Sequence, residues 1–158
     1  MTFYKIDTMR KIILLTTLFL LHFAAIAQLD EREPADWKVI GRLKFGGITK
    51  AKLQYTNTGA DTLYMLFIKD VREQPKDNYF SITFRNVDDT YARLYSILKS
   101  FFLDENKKSS YSRSFKLGDT GVNVQHHLLV TGRGIMFTTK DGYTYWSEKD
   151  IDKLFGLR

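Results

Sequence analysis

The chain has no cysteine among its 158 residues, and only two prolines and three histidines. Without cysteine there is no disulfide framework, no thiolate metal site, no cysteine nucleophile and no lipid-modified cysteine. Charged residues at 27% beside 44% hydrophobic ones exclude a disordered chain and a collagen-like or low-complexity one. No apolar run long enough to span a membrane follows residue 27. Acids are the scarcer sign, 18 against 24 bases, and the formal charge of +6 favours anionic partners without naming one.

What is present first is an address. Met9-Arg10-Lys11 precedes the apolar run Ile12–Leu21, and Ala25-Ile26-Ala27 precedes Gln28. Basic start, apolar centre and small-x-small end are the three parts of a secretory signal peptide, so cleavage is expected between Ala27 and Gln28. The apolar stretch from Ile12 to Ala27 has 16 residues, short of the roughly 20 that a spanning helix needs. Asp7 is unusual in a leader, which makes Met9 the better start and residues 1–8 an upstream extension. Export without cysteine suits a bacterial periplasm or extracellular space, because no oxidative folding is required. A glutamine at the new N-terminus resembles exported proteins of some Gram-negative bacteria. Losing residues 1–27 removes three bases and one acid, so the remaining chain carries +4.

Residues 28–36 are polar and acidic and read as a flexible lead-in; residues 37–158 read as a single globular domain. From Trp37 the apolar positions alternate. Gly46-Gly47, Asn57–Asp61, Gly118–Gly121, Thr131–Gly134 and Asp141-Gly142 punctuate successive strands, the last being the strongest hairpin signal. Leu63–Ile68 is apolar at every position, as a central strand covered on both faces would be. Between the two groups of strands, Tyr91, Leu94, Tyr95, Leu98, Phe101 and Phe102 form one stripe of a helix over 88–103, with Asp88 or Asp89 as its cap. Ser147-x-x-Asp150 opens a short final helix that Gly156 ends. Grouped strands with few helices predict an α+β fold: a mainly antiparallel sheet of seven or eight strands, the long helix packed on it, and a short C-terminal helix.

Chemistry is harder to find. His126 and His127 are neighbours, so on a strand they point to opposite faces and cannot share a metal ion. His126 shares its face with Val122, Val124 and Leu128 and reads as a core histidine; His127 falls on the polar face. No serine lies in a nucleophile motif. Asp88-Asp89, Asp104-Glu105 and Asp150-x-Asp152 sit at helix ends or turns, where caps and solubility explain them. Thr131-Gly132-Arg133-Gly134 lacks the spacing of a phosphate loop and reads as a turn. No cofactor and no metal are expected.

Placement of charge is the one feature above background. Pairing Leu43 with Ala51 and Val39 with Tyr55 sets Lys44 opposite Lys50 and Arg42 opposite Lys52, like charges that cost stability when directly opposed. The same reasoning lays Tyr64, Leu66 and Ile68 beside those lysines. The expected function is a non-enzymatic binding or interaction module of the cell envelope. Its ligand-binding face would comprise Arg42, Lys44, Lys50, Lys52 and Tyr64, holding an anionic or amphipathic partner. Two other classes compete. One is a small envelope hydrolase using carboxylates or His127. The other is a structural subunit of an envelope complex, or a homodimer, joined through Tyr64, Leu66 and Ile68. Nucleic acid is not expected, since the leader sends the chain away from it.

Overall fold

Alternating strands and tight glycine turns build two meanders. The computed structural model describes residues 36–59, 61–72 and 78–157. The expected leader and its cleavage site, and the lead-in before Asp36, lie outside the described residues. The first meander holds β1 (Lys38–Phe45), β2 (Ile48–Thr58), β3 (Asp61–Lys69) and β4 (Tyr79–Arg85), paired antiparallel in chain order. The second holds β5 (Ser112–Leu117), β6 (Thr120–Leu129), β7 (Gly132–Thr139) and β8 (Tyr143–Ser147), again antiparallel in chain order. Helix α1 (Thr90–Ser100) follows the first sheet and α2 (Glu148–Leu154) follows the second. The fold is α+β as expected, with the eight strands divided into two sheets of four. Four strands and a helix therefore occur twice, although no sequence repeat marks it.

Turn chemistry accounts for the tightest connections. Gly46 and Gly47 both have positive φ, 55° and 83°, which two-residue hairpin loops require and side chains resist. The Asp141-Gly142 connection is closed by the Thr139 N–H donating to the Gly142 carbonyl at 2.8 Å.

The inward positions of both sheets and both helices enter one apolar core. Leu53, Leu66 and Ile68 meet Leu94, Leu98 and Phe101 of the α1 segment, and Phe137, Trp146 and Ile151 complete it from the second half. Helix α1 is shorter than its apolar stripe suggests; it ends at Ser100, and Phe101 follows as its buried terminus. Its cap also differs from expectation. Asp89 occupies the N-cap position but has φ 55° and makes no capping bond, while Asn86 Oδ1 accepts the Tyr91 N–H at 3.0 Å. The asparagine side chain reaches back across the left-handed Asp88-Asp89 pair and satisfies the first-turn donor in their place.

Helix α2 begins as its sequence dictates. Ser147 Oγ accepts the Asp150 N–H at 3.2 Å and Asp150 Oδ2 accepts the Ser147 N–H at 2.9 Å, a reciprocal capping box. The two helices are tied by polar groups over an aromatic contact. Tyr91 donates its hydroxyl to the Phe155 carbonyl at 3.0 Å, Tyr95 donates to Asp152 at 2.9 Å, and both rings lie 5.2 Å from Phe155. Lys99 bridges Glu148 at 2.5 Å and Asp152 at 3.0 Å. Beneath α2, Gly41 lets β1 approach the helix end: a Cβ there would overlap the Lys153 and Leu154 carbonyl oxygens and stand 2.6 Å from the Leu154 carbonyl carbon.

Among the described residues, no helix is long and apolar enough to cross a membrane.

Candidate functional site

The outer face of the first sheet is set by two short connections. Phe45 pairs with Ile48 across Gly46-Gly47, so Lys44 must pair with Thr49. The core demands something else, Leu43 opposite Ala51, and the two registers differ by one residue. A bulge at Lys50 absorbs the difference. Lys44 is therefore not opposed to Lys50, which corrects that expected pair; Phe45 takes the place beside Lys50, its ring centre 4.5 Å from the ammonium. A second irregularity at Ile40 brings Lys38, not Val39, opposite Tyr55. Arg42 does face Lys52, as the alternation predicts.

Tyr64 requires a larger correction. In the β2–β3 hairpin Tyr55 pairs with Tyr64, Leu53 with Leu66 and Ala51 with Ile68, so Tyr64 shares the core face. Its ring stacks on Phe84 at 5.4 Å and on Tyr91 of α1 at 5.0 Å. Burial, and then the neighbouring Tyr55 hydroxyl, push the Tyr64 hydroxyl above its ordinary value. Leu66 and Ile68 are fully buried in the same layer. The apolar surface on which the structural-subunit and homodimer readings rested is thus the inside of this fold.

What stands beside the lysines is the other half of β3. Lys52 pairs with Phe67, Gln54 with Met65, Phe67 with Ser81 and Lys69 with Tyr79. Phe67 and Tyr79 stack at 4.8 Å, the Lys52 ammonium lies 5.7 Å from the Phe67 ring, and the Lys69 ammonium 5.7 Å from the Tyr79 ring. Cations and rings therefore alternate across β1 to β4, each ammonium set against an aromatic face that favours it. Because α1 stacks on Tyr64, it lies on the opposite side of the sheet from Arg42 and Lys52. Arg42, Lys44 and Lys50 are exposed and Lys52 is half-buried. None of the four forms an ion pair with an acid of the described residues. Phe45, Phe67, Lys69 and Tyr79 were missed by alternation alone. The short Thr58–Asp61 connection carries the signal that finds the β3 positions, because pairing Thr58 with Asp61 fixes every later pair of the hairpin.

At the hairpin end this face runs into a cleft of about 330 Å³. Phe45, Ile48 and Lys50 form one wall, and Lys69 to Arg72 with Thr144 of β8 form the other. The far wall is fixed by a buried carboxylate. Asp70, with no side-chain exposure, accepts Arg72 Nε at 2.5 Å, the Arg72 N–H at 3.2 Å and the Tyr143 N–H at 3.3 Å. Arg72 also donates to the Asp141 carbonyl, and the Val71 N–H donates to the Tyr143 carbonyl at 3.1 Å. Gly142 makes the approach possible, since a Cβ there would stand 2.7 Å from the Asp70 carboxyl carbon. Burial alone would raise the Asp70 carboxyl. The hydrogen bonds from Arg72 and Tyr143, with the guanidinium charge, outweigh it and hold the group below the ordinary carboxylate value.

The groups considered for catalysis are dispersed. His127 stacks on Tyr145 at 4.1 Å. His126 Nε2 donates to the Asn106 carbonyl at 2.7 Å, and its ring packs edge-on to Phe101 at 5.2 Å. Asp150 serves the capping box, Asp152 meets Lys99 and Tyr95, and Asp104 pairs with Lys107. Among the described residues no three His, Asp or Glu side chains converge as metal ligands. The β6–β7 turn is Val130-Thr131, and Gly132 (φ 115°), Arg133 and Gly134 already pair with β6 as the start of β7, which corrects the turn expected over Thr131–Gly134.

Comparison of the chain with protein-family models, with curated proteins and with solved structures gave no match.

Proposed function

We propose that the chain is a non-enzymatic binding module of the bacterial cell envelope, exported by the leader over 1–27 and acting as one domain from residue 37. Its outer face on the first sheet holds a partner that is anionic and partly apolar. The observation that supports this best is the alternation of cations and rings: Phe45 with Lys50, Lys52 with Phe67, and Lys69 with Tyr79. Such a face offers charge and apolar contact together, which a simply solvated lysine stripe does not. Arg42 extends it to β1, and neither Arg42 nor Lys52 is neutralised by a described acid.

Vesicles give a direct test. Purified protein should cosediment with vesicles containing phosphatidylglycerol, should release as salt rises, and should ignore phosphatidylcholine vesicles. Equal binding to both lipids, or none to either, refutes the reading.

A further inference from the structure

The second sheet leaves one long side open. Strand β5 is at its edge and pairs only with β6. The β5–β6 connection is the two-residue turn Gly118-Asp119, with Gly118 at φ 57°, so Leu117 and Thr120 form a hydrogen-bonded pair. Such pairs alternate along an antiparallel ladder, which makes Phe115–Val122 and Arg113–Val124 the next two. Ser112, Ser114 and Lys116 therefore turn their backbone N–H and C=O groups away from β6. Among the described residues no backbone group meets them on that side. An edge of this kind is a template for another strand.

A groove of about 120 Å³ runs along that edge, between α1 and β5. Leu94 and Ile97 line it from the helix, Phe115 and Leu117 from the strand. Its volume is that of about four waters, room for one apolar side chain. Phe101, just past α1, packs against Tyr111, just before β5, while Arg93 lines the groove with Leu117. Helix and strand thus run in opposite senses, with Arg93 at one end of the groove. Arg113 stands at the other, on the strand face it shares with Phe115 and Leu117. Both arginines are exposed, and neither forms an ion pair among the described residues. Lys116 points to the other face and is paired with Asp119. At Gly118 the chain meets β4, where a Cβ would overlap the Thr83 carbonyl oxygen, so the open stretch ends beside Arg93.

We infer that this edge takes an extended peptide as an antiparallel fifth strand of the second sheet, its side chains in the order acid, x, apolar, x, acid. Alternate residues share one face of a strand, so these three point together toward α1. The apolar side chain enters the groove on Ile97 and Phe115, and the two carboxylates meet Arg93 and Arg113. Main-chain pairing supplies affinity, while the groove and the arginines select the sequence. Strand β5 carries Arg113 and Lys116 and no acid, so charge favours an acidic partner over a second copy of the same strand. The site lies on the other sheet from Arg42 and Lys52 and stands independently of vesicle binding.

A capped fluorescent peptide, Glu-Thr-Leu-Thr-Glu, titrated with the purified protein and followed by polarisation, tests it. Binding should saturate at one peptide per chain. Replacing its leucine by serine, or both glutamates by lysine, should weaken binding by about tenfold or more. Arg93→Glu with Arg113→Glu should reverse the charge preference, so that the lysine peptide binds better. Ser114→Pro removes one outward N–H and no bond within the sheet, and should abolish binding in a folded protein. Methylated peptides make the same test on the unaltered protein. Methylating both threonine amides, which face β5 in this pairing, should abolish binding; methylating the leucine amide, which faces away, should leave it unchanged. Absence of saturable binding, equal effects of the two methylations, or a charge preference untouched by the double arginine variant overturns the inference.

Discussion

Asp70→Ala should cost about 2–3 kcal/mol and should do so only above acid pH. The side chain has no exposure and holds the two sheets together through Arg72, Tyr143 N–H and the Arg72 N–H. A hydrogen bond to a charged group is worth about 1.5–3 kcal/mol, and breaking a buried ion pair costs about 3–5. The low end applies, because Arg72 is 48% exposed and regains water when its partner is lost. Folding holds the Asp70 carboxyl below its ordinary value. Its contribution is therefore fully present above the unfolded value, near about 3.9, and disappears as pH falls through the folded value. Urea unfolding of wild type and variant at neutral pH should show a midpoint lowered by about 1–2 M with an unchanged slope. In strong acid the two curves should converge. Equal midpoints at neutral pH refute the clasp, and a gap that persists in acid refutes its electrostatic origin.

Gly41→Ala should destabilise by about 1–3 kcal/mol or more, because the added methyl meets helix backbone and not a movable side chain; thermal unfolding reads this directly. Lys99 has its ammonium value raised: burial alone would lower it, but hydrogen bonds to Glu148 and Asp152 and their charges outweigh that. The raised value means its stabilisation is full below the ordinary lysine value and is lost as pH rises through the folded one. Lys99→Met should therefore lower the melting temperature at neutral pH and narrow its deficit at strongly alkaline pH. Tyr64→Phe keeps the ring between Phe84 and Tyr91 and so should leave vesicle binding unchanged, as befits a core-face residue.

Alternation made the strands, the two glycine-marked hairpins and the capping box at Ser147 legible, because each is decided by residues within one turn or strand. The Arg42–Lys52 pair was legible for the same reason. Lys44 was not, because the pattern of Leu43 and Ala51 and the geometry of the Gly46-Gly47 turn ask for different registers, and the core pattern alone cannot show where the bulge falls. Tyr64 was assigned to the wrong face because Leu63–Ile68 is apolar at both parities, so hydrophobicity carries no information about which way it turns. Only the length of the Thr58–Asp61 connection decides that. The cleft depends on Asp70 meeting Gly142 across more than seventy residues, a contact that no local pattern encodes.

The central claim is that the outer face of the first sheet attracts an anionic partner, and Arg42→Glu with Lys52→Glu is its most direct test. Each base near an anionic surface contributes about 1 kcal/mol, so reversing two should weaken partition onto phosphatidylglycerol vesicles by about 30-fold or more. Folding is controlled by the paired alanine variant, Arg42→Ala with Lys52→Ala, which should weaken partition less while unfolding in urea like wild type. Loss of partition with unchanged urea midpoints is the predicted result; undiminished partition of the glutamate variant contradicts the account.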